Sequence, residues 1–138
     1  MTRGHLCRKQ DADRSGFGAE SCNLLNACPQ SAQFNSGIWL QLENWADAAA
    51  NAFGRIWIVD GPIFRLPFSN VERIGDPGEL PVWVPDEFWK VVIREPQQGK
   101  ISLVCFMFDH RKDKDGKPWR SILDGRGQPL RHPTIPPF

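Results

Sequence analysis

Four polar side chains in the first third of the chain have the types that hydrolytic sites use. His5 follows an Arg-Gly pair, and Asn26 lies three residues before a Pro-Gln pair. Asn35 precedes Glu43 by eight positions. A neutral imidazole can take a proton from water, and amide and carboxylate oxygens are the ligands that Mg²⁺ prefers. Together these side chains have the chemistry for a metal-assisted attack of water on a bound substrate.

Each of these residues also has an ordinary structural explanation. An asparagine before a helix, such as Asn35, commonly accepts a hydrogen bond from a first-turn amide as the N-cap. Asn26 has the type of a turn residue. Taken alone, His5 is a surface histidine beside a glycine, and Glu43 is a solvated carboxylate on a helix face. The chemical interpretation therefore depends on whether the fold brings these side chains together.

The element that must position Asn35 and Glu43 is an amphipathic helix. Apolar residues recur at helical spacing across 38–53, and Gly54 follows, as glycine commonly does just past a helix end. The pattern predicts a helix over about residues 36–52. Eight residues of one regular helix give about 12 Å of rise and about 80° of rotation. We therefore expect Asn35 in the loop that enters the helix, with the Glu43 side chain leaning back toward it.

Apolar runs after the helix predict strands. Residues 55–59 are mostly apolar and precede Asp-Gly-Pro at 60–62, which predicts a buried strand followed by a tight turn. The runs 88–93 and 101–108 flank a Pro-Gln-Gln-Gly segment and predict an antiparallel pair. One long helix combined with such strands predicts an α+β domain.

Composition limits the classes of protein to which the chain can belong. Its 138 residues suffice for one domain with a single core. Because 17 basic side chains nearly balance 16 acidic ones, the net charge of +1 says nothing about a nucleic-acid partner. Basic residues outnumber acidic ones by four to two in residues 1–14, around His5. We predict a core domain at 1–108 and a charged, Gly- and Pro-rich, irregular segment at 109–138.

Several sequence blocks resemble one known family. Arg-Gly-His at 3–5, Asn-x-x-Pro-Gln at 26–30 and Asn-x-Gly-x-Trp-x-x-x-Glu at 35–43 occur in the motif order of the DNA/RNA non-specific endonucleases. Residues 57–64 resemble that family's strand with a Gly-Pro turn, and residues 84–92 resemble its following strand. The resemblance implies a ββα-metal finger, also called a His-Me finger, in which one long helix packs on an antiparallel sheet.

The resemblance also implies metal-dependent hydrolysis of phosphodiester bonds and a role for each polar residue. His5 would be the general base that activates water. Asn35 would bind Mg²⁺ directly, with Mn²⁺ or another divalent cation as an alternative, and Glu43 would act through a metal-bound water. Arg3 would clamp a phosphate, because a guanidinium matches phosphate oxygens in bidentate fashion. Asn26 would support the site.

Partners follow from the same resemblance. The substrates would be DNA and RNA, bound through their backbone and therefore without sequence specificity. The family often has Asp where this chain has Thr2, which puts an orienting partner of the site in doubt. The family also has strands upstream of its first motif, so we expect an N-terminally truncated domain.

The sequence has no apolar run of membrane-spanning length and no signal peptide, so we expect a soluble protein. Its compartment is undecided, since a truncated N-terminus is compatible with a secreted or periplasmic protein. A homodimer is compatible with the family.

Two alternatives remain open at this stage. The first is a truncated, inactive fragment of the same fold that binds nucleic acid without cleaving it. The second is a small domain stabilised by zinc on His5, Cys7, Cys22 and Cys28. These residue types suit tetrahedral zinc, but their spacing matches none of the usual paired-ligand patterns. The disulfide state of these cysteines and of Cys105 is not determined by the sequence.

Overall fold

The computed structural model describes residues 1–65, 67–112 and 116–117. It has the predicted α+β composition. The first part of the chain contains these elements in order: β1 (Thr2–His5), α1 (Lys9–Arg14), α2 (Gly18–Ser21), a 3₁₀ turn (Leu24–Asn26) and β2 (Ala27–Gln30). A helical run follows: α3 (Ala32–Phe34), a π turn (Asn35–Trp39) and α4 (Leu40–Phe53). The remaining elements are β3 (Trp57–Ile63), a 3₁₀ turn (Phe68–Asn70), β4 (Arg73–Ile74), β5 (Val82–Trp83), β6 (Glu87–Gln97) and β7 (Lys100–Asp109).

Strands β1 and β2 form an antiparallel two-stranded sheet in which Thr2 lies opposite Gln30 and His5 opposite Ala27. Gly4 is buried between the strands, and the side chain of Gln30 lies directly over it. A Cβ at position 4 would lie 2.1 Å from Gln30 Oε1. The close approach of these two residues therefore requires glycine at this position.

The helical run starts earlier than the sequence pattern predicts. Ser31 is its N-cap, because the Ser31 side chain accepts a hydrogen bond from the Phe34 amide at 3.2 Å. The run is then interrupted by the π turn, where Gly37 has φ −112° and ψ −114° and marks a kink. Beyond the kink, α4 ends before Gly54, which has φ +80°. The predicted C-terminal end is confirmed, whereas the predicted start is four residues late.

The other main layer is a three-stranded antiparallel sheet with the order β3-β6-β7. The predicted pairing of the last two apolar runs is confirmed. The predicted turn at 60–62 is wrong, since β3 continues through it and pairs with β6 from Trp57 to Ile63. Pro62 is tolerated because β3 is an edge strand. The edge position also leaves residues 57–59 exposed rather than buried.

The core lies between α4 with its π turn and one face of this sheet. Its buried members are Phe34, Trp39, Leu42, Trp45, Ala46, Phe88 and Val92. The ring of Phe34 contacts those of Trp39 and Phe88 with centroid distances of 5.6 Å in both cases. This aromatic contact packs the start of the helical run against the middle of the sheet.

The predicted irregular segment at 109–138 is described only at residues 109–112 and 116–117, and its remainder lies outside the described residues. The division into a core and a C-terminal segment stays a prediction. In the described ranges, none of the helices is both long enough and apolar enough to cross a bilayer.

Candidate active site

His5 is the last residue of β1 and is partly buried. Its backbone carbonyl accepts a hydrogen bond from Trp39 Nε1 at 3.3 Å. Trp39 is completely buried in the core, so it is a rigid donor. The backbone at the end of β1, which carries the imidazole of His5, is therefore fixed to the π turn of the helical run.

Asn26 holds the chain two residues beyond His5. Its side-chain oxygen accepts from the Cys7 amide at 2.8 Å, and its side-chain nitrogen donates to the Cys7 carbonyl at 2.8 Å. The same nitrogen donates to the Ser21 carbonyl at 2.8 Å. Just past the end of β1, the Asn26 side chain thus makes the two backbone hydrogen bonds that a neighbouring strand would otherwise make. Both of its polar atoms are engaged in this contact, which makes its support of His5 structural.

Asn35 does not cap the helical run. It has the helical angles φ −60° and ψ −45°, and its own amide donates to the Ser31 carbonyl at 3.0 Å. The expectations of an N-cap and of a position in the entering loop are both wrong, because Ser31 begins the run. Asn35 Nδ2 instead donates to Thr2 Oγ1 at 3.4 Å, and that hydroxyl donates to the Gln30 carbonyl at 3.2 Å.

The amide oxygen of Asn35 accepts no hydrogen bond from the residues that the structure describes. Because its nitrogen is turned toward Thr2, the oxygen is left as an acceptor for a ligand. Thr2 therefore orients Asn35 with a hydroxyl at the position where the family often has a carboxylate. An uncommitted amide oxygen is a suitable ligand for a hard divalent cation, so the residues present fit Mg²⁺.

The π turn lets one side of the helical run follow β1. Asn35 contacts Thr2, Trp39 contacts the carbonyl of His5, and Glu43 lines a cavity with Leu6. A π turn accommodates about one residue more than a regular turn. It therefore offsets about 100° of rotation and brings Asn35 and Glu43 closer to the same side than the 80° of a regular helix.

Glu43 is half-buried and lines a cavity, so it is not the solvated helix-face carboxylate of the alternative explanation. It lines a cavity of about 130 Å³ together with the carboxylates of Asp11 and Asp60 and the cations Arg8 and Lys90. Burial raises the pKa of Glu43 to about 7, although Lys90 and Arg8 act to lower it. Glu43 can consequently exchange a proton near neutral pH.

Four charged residues of this cavity were not predicted as part of the site: Arg8, Asp11, Asp60 and Lys90. The side chain of Lys90, which is 4% exposed, forms an ion pair with Asp60. Its Nζ also lies 4.6 Å from the ring centroid of Trp39. A lysine at the centre of the apolar run Phe88–Val92 is a signal that sequence inspection could have used, because an unpaired lysine is rarely buried.

Arg3 lies two residues before His5, so alternation along β1 points both side chains to the same face of the strand. It is exposed, and in the described part of the chain no carboxylate forms an ion pair with it. Thr2, which contacts Asn35, points to the opposite face. His5 lies three residues from Thr2, about 10 Å at the rise of a strand, and no hydrogen bond joins it to Asn35 among the described residues.

The zinc alternative gains no support from the positions of its four side chains. No group of three or more His, Cys, Asp or Glu residues within the described ranges is arranged to hold a metal ion. All four cysteines of the chain are free thiols, so no disulfide constrains the β1–β2 sheet.

Comparison with known proteins identifies a family. The model of the family described as DNA/RNA non-specific endonuclease matches residues 1–124. The chain is 32% identical over 113 residues to the mitochondrial nuclease EXOG of Xenopus laevis, covering 78% of this chain and 31% of that protein. It is 25% identical over 127 residues to the mitochondrial endonuclease G of Homo sapiens, covering 88% of this chain and 42% of that protein. The chain thus spans less than half the length of these curated relatives.

A solved structure shares the fold. The crystal structure of an EndoG/EndoGI complex matches with a TM-score of 0.61 and 19% sequence identity, over 79% of this chain and 47% of that chain. The family match covers all the elements that carry His5, Asn26, Asn35 and Glu43. The chain belongs to the DNA/RNA non-specific endonuclease family.

Proposed function

We propose that this chain hydrolyses phosphodiester bonds of DNA and RNA without sequence specificity, using a divalent cation and His5 as the general base. The observation that carries the proposal is the orientation of Asn35. Its nitrogen is engaged by Thr2 while its oxygen accepts no hydrogen bond within the described residues, although a capping role would have used that oxygen. This orientation leaves the amide oxygen available as an acceptor for a ligand.

In the proposed reaction His5 accepts a proton from the attacking water. An imidazole is the side chain best suited to this step near neutral pH. The hydrogen bond from Trp39 to the His5 carbonyl and the contact of Asn26 with Cys7 hold the backbone on both sides of the imidazole. These contacts limit the movement of His5, and a general base needs such a fixed position.

Asn35 Oδ1 would hold Mg²⁺, or Mn²⁺ or another divalent cation in its place, with Glu43 acting through water. When bound, the cation supplies neutralisation of charge on the phosphoryl oxygens and the leaving oxygen. Arg3 is exposed on the same face of β1 as His5 and binds the phosphate. Contacts of this kind grip the nucleic-acid backbone and carry no base sequence information. We assign the core of the nuclease to residues 1–108.

A second candidate function is binding of nucleic acid without cleavage. The chain covers 42% or less of the two relatives described above, so whole-protein activity does not transfer directly. The two candidates differ in metal-dependent cleavage of nucleic acid, which only the first predicts.

The deciding experiment incubates the purified chain with plasmid DNA and with RNA, in Mg²⁺ and in excess chelator. We expect cleavage only with Mg²⁺, and a loss of about 10²- to 10⁴-fold in His5→Ala, because a positioned general base contributes that much. Arg55→Ala removes an exposed cation between α4 and β3 and serves as the matched control with an unchanged rate. A folded His5→Ala variant that cleaves at the wild-type rate contradicts the general-base role.

A Mg²⁺ titration of the rate in Asn35→Ala tests the ligand role. We expect the half-saturating Mg²⁺ concentration to rise and the maximal rate to fall, while Asn51→Ala, on the exposed end of α4, matches the wild type. An unchanged titration contradicts the assignment of Asn35. Retarded nucleic acid without cleavage, by a folded wild-type chain, supports the second candidate instead.

A further inference from the structure

Lys90 is a buried charged residue within the apolar run 88–93 of β6. It is the fourth of the 11 residues of this strand and is 3% exposed. Placing an ammonium in the interior costs several kcal/mol unless it is paired and has further favourable contacts. The contacts that offset this cost therefore indicate the role of Lys90.

These contacts lead from the sheet to the strand that carries His5. Asp60 lies directly opposite Lys90 in the register of β3 and β6 and forms an ion pair with it. On the other side, Lys90 Nζ lies 4.6 Å from the centroid of the Trp39 ring. Trp39 Nε1 in turn donates to the His5 carbonyl at 3.3 Å. One continuous chain of contacts thus joins Asp60, Lys90, Trp39 and His5.

We propose that Lys90 is a positioning residue of the nuclease: held by Asp60, it fixes the face of Trp39 and, through the indole N–H, the place of His5. The proposal rests on the proposed function of His5. Among cation–π contacts, that of a cation with tryptophan is the strongest. The attraction increases when both groups are buried, as Lys90 and Trp39 are. A rigid Trp39 keeps its donor aimed at the end of β1.

The charge distribution around Lys90 explains why a cation is needed at this position. The adjoining cavity contains three carboxylates, those of Asp11, Glu43 and Asp60, and one other cation, Arg8. Arg8 is engaged by Asp11 at 2.7 Å and by Asn44 at 3.1 Å. Lys90 is therefore the cation that directly balances Asp60 and faces Glu43. An apolar side chain of the same length would fill the space but leave Asp60 as a buried unpaired charge.

The test uses the double variant Lys90→Met with Asp60→Asn, which removes both charges and leaves no unpaired carboxylate from this ion pair. Arg65→Met is the matched control, because Arg65 also joins the β3 side of the sheet to β6, through Glu87, but is exposed. In the double variant we expect cooperative unfolding and a kcat lowered by about 10-fold or more, with KM within about twofold. The control should keep the wild-type kcat.

A second readout does not depend on cleavage. The indole N–H signal of Trp39 in a ¹⁵N-labelled sample, identified by its loss in Trp39→Phe, reports the bond to the His5 carbonyl. We expect this signal to shift and to exchange with solvent at least about 10-fold faster in the double variant, and to stay unchanged in Arg65→Met. If the wild type fails to cleave, the proposed function fails, while this measurement still decides the role of Lys90.

If the double variant does not fold, Trp39→Phe tests the proposal in its place. It keeps an aromatic ring beneath Lys90 and removes the donor to His5, so it should lower kcat in the same direction. A folded double variant with the wild-type kcat and an unchanged Trp39 signal overturns the proposal. So does a Trp39→Phe variant that cleaves at the wild-type rate.

Discussion

The β1–β2 sheet and the β3-β6-β7 sheet both contact the helical run, but they are held in different ways. Strands β1 and β2 pair at four positions. Strand β3 pairs with β6 at seven positions, and β6 pairs with β7 at nine. The smaller sheet is located by side-chain hydrogen bonds from Thr2, Asn26 and Trp39, whereas the larger sheet is stabilised by its backbone ladder and the apolar core.

This difference separates catalysis from stability. A few polar contacts determine where His5 lies, so the loss of one contact moves the imidazole while costing only about 1 kcal/mol of folding free energy. Substitutions in the larger sheet should act mainly on stability, since the ladder tolerates local change without moving β1. The Lys90–Asp60 pair is the exception, because it lies in the large sheet and acts on the small one.

The largest expected effect concerns the cavity between the two regions. Burial raises the pKa of Glu43 from 4.5 to about 7, so the folded state favours its protonated form. The contribution of Glu43 to stability is fully present below pH 4.5 and is lost as the pH rises through about 7. This loss corresponds to about 3 kcal/mol. In metal-free denaturant titrations, the free energy of unfolding of the wild type should fall between pH 4.5 and about pH 7. Glu43→Gln should lack this part of the fall.

Glu79→Gln provides the control, because Glu79 is exposed in the loop between β4 and β5. It should follow the wild-type pH profile. If wild type and Glu43→Gln have the same slope between pH 4.5 and pH 7, the cavity is hydrated and burial does not raise the pKa of Glu43.

An intermediate effect is expected from one glycine in each sheet. A Cβ at Gly4 would lie 2.1 Å from Gln30 Oε1 and 2.6 Å from its Cγ, and Gln30 is completely buried. A Cβ at Gly61 would lie 3.2 Å from Trp89 Nε1. Gly4→Ala should therefore cost about 2 kcal/mol by overpacking, and Gly61→Ala less than about 1 kcal/mol. Equal thermal unfolding midpoints for the two variants would remove the distinction between the sheets.

The smallest expected effect compares two asparagines of the same loop. Asn26→Ala removes three hydrogen bonds near His5 and should cost about 1–2 kcal/mol while lowering cleavage several-fold. Asn23→Ala removes a bond to the Leu25 amide and should cost about 0.5–1 kcal/mol without changing the rate. Stability and initial rates measured on both variants check this. A rate loss of the same size in both would mean that loop stability, rather than the Cys7 contact, controls His5.

Much of the fold was predictable because its patterns are local. The two apolar runs on either side of the Pro-Gln-Gln-Gly segment predicted the pairing of β6 and β7, and Gly54 marked the end of α4. The turn predicted at 60–62 was wrong because Asp, Gly and Pro favour turns locally, while pairing with β6 overrides that preference. The π turn had no signal in the apolar pattern, because that pattern begins at residue 38 and lies almost entirely beyond the turn at Asn35–Trp39.

The candidate site was predictable in its residue types but not in its contacts. His5 and Asn35 were identified from the motif order, and the structure locates them at opposite ends of β1. The contact of Asn26 with Cys7 spans nineteen residues, and that of Lys90 with Asp60 depends on strand register. Contacts between distant residues of this kind follow from tertiary structure and leave little trace in a single sequence.

The π turn also has a consequence for how the gene can change. Because the π turn holds about one residue more than a regular turn, removing one codon between residues 34 and 40 would leave a regular turn and keep α4 in its rotation relative to the Ser31 cap. Adding one codon there would instead rotate α4 by about 100°, and Asn35 and Glu43 could then no longer face β1 together. The spacing between them therefore limits insertions in this turn more than deletions. Residues 15–17, between α1 and α2, are exposed and are a more tolerant place for insertions and deletions.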